Sequence, residues 1–107
     1  MITGSGTKEL QPQFVNQKSF YKKAEVLTEF KIVDGQNVRS TSLYSYGRFV
    51  AFTTMIAGEP STKSATVFNT YSKTTLKHIK EFLLQEGFKA DNAKQIMKDY
   101  WQDKYTN

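Results

Sequence analysis

"FYKKAEVLTEFKIVDG", residues 20–35, decides how this chain folds. Its even positions read Phe20, Lys22, Ala24, Val26, Thr28, Phe30, Ile32, and its odd positions Tyr21, Lys23, Glu25, Leu27, Glu29, Lys31. Alternation with a period of two predicts a β-strand whose even face points mostly inward. Asp34-Gly35 then supplies the positive backbone torsions of a tight reversal, so a partner strand returns alongside.

Working outward, residues 39–56, "RSTSLYSYGRFVAFTTMI", read as a hairpin: a strand rich in Ser, Thr and Tyr up to Tyr46, a turn at Gly47-Arg48, and a return from Phe49 to Ile56. A looser loop over 57–63, "AGEPSTK", leads to a fourth strand from Ser64 to Tyr71. Upstream, residues 1–17 are rich in Gly, Thr, Ser and Gln and lack a sustained period. They are expected to form a flexible arm from which Phe14 and Val15 dock, the folded domain occupying 18–107.

Two helices close the chain. The first is predicted over Lys73–Glu86, capped by Ser72 or Thr74, with Leu76, Ile79, Phe82 and Leu83 on one stripe. Gly87 ends it, and Phe88 is placed to fold back on Leu83 in a Schellman ending. The second is capped by Asp91 or Asn92 and carries Ala93, Ile96, Met97, Tyr100 and Trp101 on one side, running on towards Tyr105. Strands first and helices last predict an α+β domain: an antiparallel sheet of about four strands with two C-terminal helices packed on one face.

At 107 residues the chain has room for one core. Fourteen per cent of it is aromatic against 38% hydrophobic overall, so a few large side chains must supply the burial. No stretch reaches the roughly 18 apolar residues that a membrane helix requires, and the start lacks the pattern of a secretory signal. A soluble, cytoplasmic protein is expected. The absence of cysteine excludes disulfides, thiolate zinc sites and a cysteine nucleophile.

Catalytic chemistry finds little to stand on. His78 is the one histidine, which rules out multi-histidine metal sites. It falls about 100° from the centre of the apolar stripe, a boundary position suited to bonding a carbonyl or carboxylate. Asp99 and Asp103 share a helix face but stand among Lys94, Lys98 and Lys104, the pattern of a solvated surface. An enzyme built on His78 with Asp99 or Glu81 is the weakest of three readings. No cofactor is expected.

Binding has better material. Fifteen Lys and Arg against ten Asp and Glu leave a net charge of +5, which favours an anionic partner. Lys73, Lys77 and Lys80 fall within about 60° of one another on the first helix, with Leu84 on the same ridge as an exposed apolar residue that hints at a protein partner. A second group, Arg39, Tyr44, Tyr46 and Arg48 of the hairpin with Lys22 and Lys23 beside it, mixes cations with aromatic rings. Such rings on an open sheet stack unpaired bases for about 1 to 3 kcal/mol each. Tyrosines covering an outer sheet face are the plainer account of Tyr44 and Tyr46. "YWQDKY", residues 100–105, reads first as packing and second as a dimerising patch, so oligomeric state stays open.

Three blocks in order, "KSFYKKAEV" at 18–26, "LYSYGRFVAF" at 43–52 and "YSKTTLKHIKEFLLQEGF" at 71–88, resemble a largely uncharacterised family of small proteins carried by phages and conjugative elements of Gram-positive bacteria. The matching positions include Lys18, Ser19, Phe20, Tyr21, Lys23, Ala24, Ser45, Tyr46, Ser72, Thr74, Thr75, His78, Ile79, Glu81 and Phe82. Lys73 and Gly47 depart from the pattern, the first adding charge to the ridge. The resemblance implies a mobile element inside a bacterial cytoplasm and no particular reaction. By analogy with other small phage proteins, the expected function is non-enzymatic: binding a host protein or ribonucleoprotein to blunt a defence system, as inhibitors of CRISPR nucleases do. The alternative is an accessory protein of replication or transfer that binds single-stranded DNA or RNA.

Overall fold

The computed structural model describes residues 2–68 and 72–101. Five strands, β1 (Ile2–Glu9), β2 (Ala24–Val33), β3 (Gln36–Ser45), β4 (Arg48–Ile56) and β5 (Glu59–Val67), precede two helices, α1 (Lys73–Gln85) and α2 (Ala93–Tyr100). The strands form one antiparallel sheet in the order β1-β2-β3-β4-β5, so each pairs with its neighbour in sequence. The fold is therefore α+β, with five strands rather than about four.

The additional strand comes from the residues expected to be a flexible arm. β1 pairs with β2 from Ile2 opposite Lys31 to Glu9 opposite Glu25. Pairing of this kind rests on backbone hydrogen bonds, which Gly, Ser and Thr supply as well as any residue, so an exposed edge strand need carry no apolar period. The chain then runs over α1. Leu10 is buried in the core, and the Phe14 and Val15 N–H groups donate to the Glu81 carboxylate at 2.8 and 2.9 Å. Docking thus combines these backbone hydrogen bonds with the half-buried Val15 side chain, which packs against the core, while the Phe14 side chain remains exposed.

Register separates the two faces of the sheet. Ala24, Val26, Thr41, Leu43, Ser45, Ala51, Thr53 and Val67 alternate onto one face and are all buried. Ile79, Phe82 and Leu83 of α1 and Ile96 of α2 complete the core there, so the inward even face of β2 is observed for Ala24 and Val26. It fails further along, where Phe30 and Ile32 are exposed. Ten strand residues span about 33 Å and a 13-residue helix only about 20 Å, so the helices cannot reach the far end of the β2–β3 hairpin. The β4–β5 connection is a short turn at Ala57-Gly58, and the residues expected as a long loop begin the last strand. The expected end of that strand at Tyr71 lies outside the described residues.

Helix ends follow the capping residues. Ser72 accepts from the Thr75 N–H at the start of α1, and Asn92 accepts from the Gln95 N–H at the start of α2. After α1, Gly87 takes a φ of +84°, its N–H donates to Leu84 C=O, and the Phe88 N–H donates to Leu83 C=O. That is the Schellman ending expected from the sequence, and Phe88 packs against the core. The expected continuation of α2 towards Tyr105 lies outside the described residues.

Candidate functional site

At the end of the sheet where β2 begins and β3 turns into β4, the backbone is strained. Tyr21, Lys22 and Tyr46 all have positive φ, 53°, 62° and 53°. Non-glycine residues hold such torsions at a cost of about 1 to 3 kcal/mol each, and only where surrounding structure enforces them. Here the turns fasten each other: Tyr46 N–H donates to Lys23 C=O at 2.8 Å, Lys23 N–H to Phe20 C=O at 2.9 Å, and Tyr21 N–H to Ser19 Oγ at 2.9 Å.

Behind these turns, on the helix side, lies His78. The sequence places it at the boundary; the structure buries it completely, because Phe20 and the Tyr46 turn close over the flank of α1 that a helix wheel leaves facing solvent. Its partner is also neither a carbonyl nor a carboxylate. Nδ1 shares a hydrogen bond of 2.8 Å with Ser45 Oγ, which lies 3.1 Å from Thr75 Oγ1. The Phe20 ring meets the imidazole edge-on at 4.7 Å and the Tyr46 ring lies at 5.7 Å. Burial pushes the His78 pKa down, so the ring is neutral, and Nε2 has no hydrogen-bond partner among the described residues. All three sequence blocks thus meet at one histidine, which fastens the turns from behind.

In front, these turns open onto the face of the sheet away from the helices. Lys22, Lys23, Tyr44 and Tyr46 line one cleft of about 600 Å³, together with Glu25 and Leu27. Beside it Tyr44, Phe49, Phe52 and Phe68 form a continuous group of rings, with centroids 5.6 Å apart for Tyr44–Phe49, 5.9 Å for Phe49–Phe52, 5.0 Å for Phe49–Phe68 and 5.7 Å for Phe52–Phe68. Phe49 is 41% exposed. Neither α1 nor α2 covers this face, so the rings form a partly solvated aromatic surface that two cations border.

The sequence missed Phe49, Phe52 and Phe68. Residues three apart on a regular strand face opposite ways, which hides the pairing of Phe49 with Phe52. The structure inserts a bulge: Leu43 faces Ala51 and Tyr44 faces Phe49, leaving Val50 as the extra residue, buried at 1% exposure. The bulge brings both phenylalanines to the open face, and no residue type in the sequence announces it.

Two of the hairpin residues grouped with the tyrosines separate. Arg39 lies on the helix-covered face, where it pairs with Glu86 at 3.0 Å, and Thr53 also donates to that carboxylate at 3.2 Å. Strict alternation, odd Arg39 against even Tyr44, carried that signal. Arg48 is exposed at the start of β4, opposite Ser45, beside the Tyr46 turn rather than in the cleft.

The ridge of α1 is a separate feature. Lys73, Lys77 and Lys80 line a smaller groove of about 340 Å³ with Leu76 and the start of α2. Leu84 does not stand exposed among them as the sequence suggests: it is half-buried and packs against the core, because the sheet extends beneath its side of the helix. Nor do the carboxylates assemble around His78. Glu81 is committed to Phe14, Val15 and Gln85, and Asp99 accepts from Gln95 on the exposed side of α2. Asp103 lies outside the described residues. No helix among the described residues is long and apolar enough to cross a membrane, and none of their His, Asp and Glu side chains group to hold a metal ion.

Comparison with curated proteins and with solved structures gives no match. A sequence-family model, by contrast, matches residues 8–99, which span all of this architecture except most of β1 and the last residue of α2. The chain belongs to a family of unknown function (DUF8033).

Proposed function

We propose that this is a non-enzymatic protein of a mobile genetic element that holds single-stranded nucleic acid against its uncovered sheet face. The strand is either free or the exposed RNA of a ribonucleoprotein such as a host defence nuclease, in which case binding inhibits. One observation carries the reading: Lys22, Lys23, Tyr44 and Tyr46 converge on a single cleft that continues into the four-ring surface. Bases stack on rings regardless of sequence, and lysines at the cleft's edge neutralise the phosphates that follow. With Lys22 and Lys23 set against Glu25, the cleft keeps a net positive lining. The strain at Tyr21, Lys22 and Tyr46 supports the same assignment, since a fold retains costly torsions where the side chain so presented is used.

The test is fluorescence anisotropy with labelled oligo-dT and oligo-U across a salt series. Tyr44→Ala and Tyr46→Ala should each weaken binding by about 1 to 3 kcal/mol. Replacing Lys22 and Lys23 by Gln should flatten the slope of log affinity against log salt by about 1.4. A protein that binds neither oligonucleotide at physiological salt would overturn the reading.

A further inference from the structure

The α1 ridge carries a second proposal, independent of the sheet face. We propose that the groove between α1 and the start of α2 docks an acidic amphipathic helix of a protein partner.

The groove has an apolar floor in which Leu76 and Ala93 are half-buried and Ile96 is fully buried, and a rim of Lys73, Lys77 and Lys80. Among the described residues, ion pairs join Arg39 to Glu86, Lys89 to Asp91 and Lys31 to Glu29. None of the three ridge lysines makes an ion pair with a described residue. Asp91, the one carboxylate lining the groove, is engaged by Lys89 at 3.5 Å. Three positive charges, unpaired among the described residues, therefore flank the apolar floor, against one carboxylate that Lys89 already engages.

Their spacing specifies the occupant. Positions i, i+4 and i+7 repeat along about 10 Å of helix, so a second helix lying alongside meets them with acids at the same spacing. Its neighbouring apolar positions then fall over the half-buried Leu76 and Ala93. A phosphate backbone satisfies the lysines but gains nothing from the floor, because a nucleic acid strand turns charge rather than hydrocarbon towards a cationic rim. Helix-in-groove recognition satisfies both features. The groove lies in the helix layer, remote from the ring-bearing face, so both can be occupied together.

The probe is a labelled amphipathic peptide of about 15 residues with Leu and Glu in helical register, titrated against the full chain. Binding should weaken by about tenfold or more in Lys73→Glu/Lys77→Glu/Lys80→Glu and by less in the triple Gln variant, while Lys22→Gln/Lys23→Gln leaves it unchanged. A peptide with its Leu residues replaced by Ser should bind more weakly at equal charge. Circular dichroism confirms that the variants are folded. No binding of the Leu/Glu peptide, or binding that ignores the triple reversal, overturns the proposal. So does the outcome in which the reversal abolishes oligo-dT binding but not peptide binding, which assigns the ridge to phosphate.

Discussion

Two tight turns in this sheet have nearly the same backbone and very different residues. At the β2–β3 connection Asp34 and Gly35 take φ values of 50° and 78°; at the β3–β4 connection Tyr46 and Gly47 take 53° and 77°. Aspartate tolerates the left-handed region readily, whereas a tyrosine there is held against its preference. The first turn uses a residue suited to its torsions. The second does not, and its ring lines the cleft in front while packing on His78 behind.

His78→Ala tests that support most severely. Removing a buried ring and its bond to Ser45 should lower stability by about 2 to 4 kcal/mol in urea unfolding. Hydrogen exchange should speed up at the Tyr46 amide and not at the amides beside Asp34; equal protection at both turns would refute the supporting role. Tyr46→Asn comes next. It gives the second turn the chemistry of the first, so stability should stay within about 1 kcal/mol of the original while affinity for oligo-U drops by about 1 to 3 kcal/mol. A variant that keeps full affinity would show that the ring serves packing only.

Acid separates the two buried titratable groups. His78 is held neutral by burial, so the unfolded chain takes up a proton below about 6.5 that the folded chain resists, and stability declines as pH falls through that value. Burial by itself raises the Glu81 pKa, but the N–H groups of Val15, Phe14 and Gln13 and the Gln85 amide more than offset this and lower it. Its contribution is therefore complete above about 4.5 and is lost as pH falls below that. Unfolding midpoints followed against pH should drop in two stages, the first missing in His78→Gln and the second in Glu81→Gln; a single stage unaffected by either would contradict both assignments. Asp34→Asn, the smallest change, should leave stability within about 0.5 kcal/mol and binding untouched.

Much of this was legible in the residues and some of it could not be. Asp34-Gly35, Ser72, Asn92 and Gly87 mark their turns and caps because each offers a backbone geometry or an acceptor that other residue types lack. Lys22, Lys23, Tyr44 and Tyr46 could be chosen as a site from composition and strand placement. β1 was hidden because an exposed edge strand is specified by its partner's backbone. The pairing of Phe49 with Phe52 was hidden because a bulge, invisible in any periodicity, sets the direction of Phe49. The depth of His78 was hidden because burial depends on what another segment lays over it.

The meander also dictates an order of assembly. As the ribosome releases the chain, every strand after the first emerges directly after the strand it pairs with, so the sheet extends by closing short loops one at a time. The N-terminal crossing segment is the exception. The carboxylate that receives Phe14 and Val15 is 66 to 67 residues downstream. Until α1 has left the exit tunnel Phe14 and Val15 lack their acceptor, and the nascent sheet stays uncovered on both sides.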